Sequence, residues 1–165
     1  MKLTIDAASK LIKTYMADLA KVEQAERNGM MITYLDGEDK VIPEYSFVET
    51  QAEMNRINEN IQRIKHQINV FNCSYVLPEV GITIDTALIR MAVLNKRMGE
   101  LDRMRGVPKK SRTSSYRSDK PEYSEPNFDV KLAKAEYERT RTELLAIQGA
   151  LNKANILNEI EVELV

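Results

Sequence analysis

The stretch INENIQRIKHQINVF, residues 57–71, decides the fold. Its apolar positions Ile57, Ile61, Ile64, Ile68 and Phe71 fall at steps of four, three, four and three, and the residues between them are almost all polar. Side chains at that spacing share one face of a helix, so the stretch predicts a helix with one apolar seam. A seam of this regularity must be covered, either by other helices of the chain or by a second copy.

The same spacing recurs along the chain. It links Ile5, Ala8, Ile12, Tyr15, Leu19 and Val22, and then Ile84, Ala87, Met91, Leu94, Met98 and Leu101. It returns in Val130, Ala133, Tyr137, Thr140, Leu144, Ile147, Leu151 and Ala154. Four helices are therefore expected, over about residues 3–27, 45–73, 84–105 and 128–156. Leu11, Met16, Leu88, Leu132 and Leu145 widen the stripes beyond a two-residue seam, which suits helices with more than one neighbour. The expected fold is mainly α: an antiparallel four-helix, coiled-coil-like bundle forming a single domain over residues 1–165.

Punctuation residues set the boundaries. Asn28-Gly29 can end the first helix, with glycine in the left-handed cap conformation. Pro78 and Gly81 separate the second helix from the third, and Thr83 can cap the third with Asp85 in its first turn. Gly106 and Pro108 close the third helix, and Asn127 or Asp129 can cap the fourth.

Two segments break the helical period. MMITYLDGEDKVIPEY, residues 30–45, places β-favouring residues on either side of Asp36-Gly37, which predicts a β-hairpin. The tail EIEVELV alternates charged and apolar residues, which predicts a half-buried strand. Neither is stable alone in water, so the two are expected to pair in a minor sheet, to which a partner subunit could also contribute. Residues 106–127, rich in proline, serine and basic side chains, are expected to form a long flexible loop.

Composition limits the chemistry. The formal net charge of −1 gives no global attraction to nucleic acid or anionic lipid. The one cysteine, Cys73, excludes an intramolecular disulfide and multi-cysteine zinc sites. It is read as a small buried hydrophobe beside Phe71 and Tyr75. The one histidine, His66, lies opposite the seam and is expected at the surface. With a single histidine, a di-iron bundle site in its usual form is ruled out. No glycine-rich phosphate loop is present. No catalytic residue, metal site or cofactor is expected. Without a long apolar run at the start or elsewhere, neither an export signal nor a membrane span is expected, and a cytoplasmic location is the default.

The strongest candidate patch is basic. Arg103, Arg105, Lys109, Lys110, Arg112, Arg117 and Lys120 cluster in the third interhelical region with Tyr116 among them. Such a loop could grip phosphates, while Asp102, Asp119, Glu122 and Glu125 oppose that use. Asn58, Asn60, Gln67 and Asn72 flank the opening seam and are read as ordinary helix-surface polarity.

The order of features resembles a family of small helical bacterial proteins often labelled septicolysin-like. The resemblance rests on MKL at the start, INVFN closing the second helix and TIDTALIRMAVLNKRMGEL in the third. It extends to DV opening the last helix and NILNEIEVEL at the end. The best matches are Ile68, Asn69, Asn72, Thr83, Ala87, Leu88 and Asn155; where the family usually carries tryptophan, this chain has Ile156. The resemblance implies an all-helical, oligomeric cytoplasmic protein with no established activity. A pore-forming role, which the label would imply, is disfavoured by the absence of tryptophan and by too short a chain for a large pore sheet. The expected function is a homo-oligomeric interaction or scaffold module, not an enzyme, with the seam Ile57, Ile61, Ile64, Ile68 and Phe71 as core or contact. An unidentified protein partner is a further expectation. The alternative is nucleic-acid binding through residues 103–120.

Overall fold

The computed structural model describes residues 1–113 and 120–165. Among the described residues the protein is mainly helical, with four helices and small antiparallel strand pairs. The order is β1 (Lys2–Thr4), α1 (Ile5–Gly29), α2 (Phe47–Ser74), β2 (Val76–Leu77) and β3 (Ile82–Thr83). Then follow α3 (Ile84–Arg105), β4 (Ser111–Thr113), β5 (Glu122–Ser124), α4 (Val130–Leu157) and β6 (Glu159–Glu161). The chain forms two compact units, Met1–Ser74 with Lys153–Val165, and Tyr75–Asn152.

In the first unit α1 and α2 run antiparallel. Ile5 and Ala8, at the start of α1, share a core with Ile64 of α2 and with Ile160 and Val162 of the tail. Ile12, Tyr15, Ile68 and Phe71 pack against this cluster from the two helices. Ile57, Ile61 and Ile64 are buried, so the opening seam is covered within the chain. Each isoleucine so buried stabilises by about 1.5–3 kcal/mol.

The tail is extended as its alternation predicts, but its partner is not the 30–45 segment. β6 pairs antiparallel with β1, in the register Lys2↔Glu161, Leu3↔Ile160 and Thr4↔Glu159. Met1 N donates to Val162 O at 2.6 Å, and Val162 N donates back to Met1 O at 2.9 Å. Residues 3 and 4, expected in the first helix, therefore lie in a strand. The physical reason is Thr4: its extended backbone (φ −67°, ψ 157°) lets its hydroxyl accept from Ala7 N, which starts the helix at Ile5.

Asn60 is also corrected. It is fully buried. Its Nδ2 donates to Val165 O at 3.0 Å, and its Oδ1 accepts from Val165 N at 2.9 Å. The amide thus pairs with the tail backbone as a neighbouring strand would, which removes the cost of burying it.

In the second unit, β2 and β3 pair as Val76↔Thr83 and Leu77↔Ile82. Thr83 caps α3 as expected: its hydroxyl accepts from Thr86 N at 3.2 Å, and its backbone sits at φ −67°, ψ 158°. The match to Thr4 is close. Thr4-Ile5-Asp6-Ala7-Ala8 and Thr83-Ile84-Asp85-Thr86-Ala87 repeat one pattern: strand end, cap, buried isoleucine, acid in the first turn, buried alanine. The end of α3 approaches the start of α4, with Arg105 stacked over the Tyr137 ring at 3.8 Å. Arg90 of α3 bonds Glu143 of α4 through Nε. On α4 most of the expected seam is buried, at Ala133, Thr140, Leu144, Ile147 and Leu151 in this unit and at Ala154 in the first, while Val130 and Tyr137 are half-buried; Asp129 rather than Asn127 supplies the cap, accepting from Lys131 N at 2.8 Å.

The two interhelical connections depart from expectation. Residues 31–45 contain no strand, so the predicted hairpin ladder is absent. Its turn is present. Glu38 N donates to Leu35 O at 3.1 Å, Gly37 takes φ +89°, and Lys40 lies over the Tyr34 ring at 4.5 Å. The flanking runs have no surface beneath them, and an uncovered two-stranded hairpin is at best marginal in water. Gly29 does not take the left-handed cap conformation; Met30 ends α1 in right-handed geometry (φ −68°, ψ −17°). Gly29 is required for space instead: a Cβ there would lie 2.5 Å from Tyr45 Cβ. The 106–127 connection, expected to be irregular, carries a ribbon with Ser111↔Ser124, Arg112↔Tyr123 and Thr113↔Glu122 in register.

Candidate interaction surface

The structure divides the basic cluster. Arg105 donates from Nε and Nη2 to Asp102 Oδ1 at 2.9 and 2.7 Å and stacks on Tyr137, so its charge is engaged within the helix pair. Lys110 pairs with Glu125 at 2.9 Å and lies 4.5 Å above the Tyr123 ring. Arg103 turns back toward Gly99 O at 3.4 Å. Arg112 is exposed on β4, opposite Tyr123, and Lys109 and Lys120 are exposed beside the ribbon. Arg117 and Tyr116 lie outside the described residues. Two of the described cations are therefore already neutralised, which lowers the field the segment presents to a polyanion.

His66 is exposed, as expected. Cys73 is exposed rather than buried, because two residues beyond Phe71 on a helix is close to the opposite face. His66 borders an open groove of about 340 Å³ with Arg63, Gln67, Glu161 and Glu163. Arg63 is tied to Glu59 there at 2.6 Å. Among the described residues, no group of three or more His, Cys, Asp or Glu side chains is placed to hold a metal ion. In the second unit, a groove of about 250 Å³ lined by Val80, Ile82 and Ala146 is spanned by the Arg90–Glu143 pair. No described helix is long and apolar enough to cross a membrane.

The more unusual surface is apolar. From Met30 to Val48, nine large hydrophobic side chains are exposed, among them Met31 (72 %), Leu35 (69 %), Val41 (85 %) and Val48 (76 %). The stripe-widening residues Met16, Leu88, Leu132 and Leu145 are exposed as well, with Ile89 and Val93 beside Leu88 on α3. Scattered apolar residues are normal on a protein surface, but nine within nineteen residues are a concentration of the kind that contact sites carry.

The ends of that apolar segment are pinned. Tyr45 closes over Gly29, and Gln51 Nε2 donates to Glu26 Oε1 at 2.7 Å across the helix pair. Partial burial, then the neighbouring Glu26 carboxylate and the hydrogen bond to it, raise the Tyr45 hydroxyl above its ordinary value. The segment is thus a loop with fixed ends and an apolar exterior. The sequence reading missed β1, Asn60 and the ribbon. The Thr-Ile-Asp repeat is the signal that could have revealed β1, since whatever precedes Thr83 is then expected before Thr4.

Comparison with known proteins adds fold and no function. No family model matches the chain, and no curated protein matches it. The chain is similar to a functionally unknown conserved protein from Corynebacterium diphtheriae, whose crystal structure superposes with a TM-score of 0.66. The alignment covers 98 % of this chain and 100 % of the other at 13 % identity. At that identity the likeness shows a shared fold.

Proposed function

We propose that the chain is a homo-oligomeric helical interaction or scaffold module in the cytoplasm, without catalytic activity of its own. The observation that carries this reading is the exposed apolar surface from Met30 to Val48. At roughly two-thirds exposure, nine such side chains leave about 9–18 kcal/mol of burial energy unrealised. That is comparable to the whole stability of an ordinary domain, about 5–15 kcal/mol. A second copy covers such a surface at no cost in additional gene products, most simply as a two-fold dimer. The resemblance to septicolysin-labelled proteins accords with a helical oligomer and supplies no activity. Sedimentation equilibrium at tens of micromolar should return a mass of two chains or more; a monomer at that concentration overturns the reading.

A second reading, nucleic-acid binding, is favoured by one observation: β4 and β5 form a narrow ribbon, exposed at every described residue, that carries Arg112. A two-stranded ribbon is a shape the DNA major groove admits. Binding would appear as retention on heparin or DNA that falls steeply with salt, and would weaken on Arg112→Ala. Retention insensitive to salt would remove this reading.

A further inference from the structure

Resting on the oligomeric reading above, we infer that residues 31–35 are the strand by which one copy pairs antiparallel with the same residues of a second copy. Three features of this segment point to that occupant. Its side chains, MITYL, are mostly β-favouring and all uncharged, and none of its residues joins a strand among the described residues. It ends at a turn that is already formed, closed by Leu35 O and Glu38 N and by Gly37 at φ +89°. Its two ends are held, by Tyr45 over Gly29 on one side and by that turn on the other. A β-favouring run that joins no strand among the described residues is the surface that β-addition uses.

The identity of the partner follows from charge and area. Glu26 and Arg27 precede the run, and Asp36, Glu38, Asp39 and Lys40 follow it. Antiparallel pairing of two copies about residue 33 sets the uncharged run against itself, with no like charges facing across the centre. A two-fold contact requires this self-complementarity. The exposed apolar side chains between residues 30 and 48 offer on the order of 800 Å², about what one partner buries in a standard interface. A strand carrying fixed charge or proline at its centre would not serve; this one carries neither.

The test is amide hydrogen exchange on the full chain at two concentrations, with sedimentation on the wild type, Thr33→Pro and Ile32→Lys. Thr33→Pro removes a central donor from the strand while lying outside α1 and α2. The expected result is protection of residues 31–35 that grows with concentration. Dimer dissociation constants in both variants should rise tenfold or more, with helical circular dichroism unchanged. Four outcomes overturn the inference. Protection independent of concentration would mean that the chain's own residues 39–42 occupy the strand. A wild-type dimer with no protection at 31–35, or variants that dimerise normally, would leave the oligomeric reading standing and move its contact elsewhere. A wild-type monomer would remove both.

Discussion

The connection between α1 and α2 and the connection between α3 and α4 have opposite chemistry and opposite outcomes. The first has the stronger strand-forming residues, MMITYL and KVI about an Asp-Gly turn, and forms no ladder. The second pairs SRT with EYS, polar residues exposed on both faces, in a regular register. Strand propensity is a statement about fitting a half-buried, pleated surface. Where no surface lies beneath, propensity has nothing to act on, and local cross-strand contacts decide. The second connection has them: Lys110 bridges to Glu125 and stacks on Tyr123, so one side chain ties both strands. The first has the Glu38–Leu35 turn bond and the cross-turn contact of Lys40 with Tyr34. An apolar strand pair awaits a cover; a polar one with its own ties does not.

If the connections are appendages on sound helix pairs, the largest effects must come from beneath them. Ile64→Ala in the first unit and Leu101→Ala in the second should each cost about 2–5 kcal/mol in denaturant unfolding. Ile64 is 0 % and Leu101 1 % exposed, so neither site is relieved by solvent. Equal costs would place the contrast in the connections alone; a cost confined to one unit would place it in the helices.

Gly29→Ala should come next, at about 1–3 kcal/mol, because the added carbon meets Tyr45 Cβ and Cγ at 2.5 and 2.7 Å. Pairing it with Tyr45→Ala should recover part of the loss, since the two residues act through one contact. Additive losses in the double variant would show that the first connection is not closed by this contact.

Lys110→Ala should change global stability by less than about 1 kcal/mol, since exposed pairs contribute little. It should nevertheless abolish exchange protection at residues 111–113 and 122–124. A ribbon that survives the substitution would mean that its pairing is held by something other than the Lys110 ties.

The smallest effect is on pH dependence. The Tyr45 hydroxyl ionises later in the folded chain than in the unfolded one, because burial and Glu26 oppose the phenolate. Between those two pKa values the folded state holds the proton more often, so stability declines as pH rises past about 10. Tyr45→Phe should remove that part of the slope. Comparing ultraviolet titrations of the wild type and Tyr45→Phe should show the substitution removing a late-ionising component; no such difference would mean that neither burial nor Glu26 acts on Tyr45.

Much of this molecule is determined by sequence alone. Ile57, Ile61 and Ile64 had to be buried, because a helix brings residues three and four apart onto one face and water rejects that face. Thr83 had to start α3 and the tail had to alternate, because capping and strand pleating act over a few neighbouring residues. Such short-range rules can be read from spacing. Which distant segments meet is settled by long-range packing. Ile160 faces Leu3 rather than the 30–45 run, Asn60 takes the backbone of Val165, and Tyr45 closes on Gly29. Each of these joins residues far apart in the chain or turns on a gap of about one atom. No local preference encodes either: partner choice depends on the cover available after the helices have packed, and side-chain fit is set at the scale of a single methyl group.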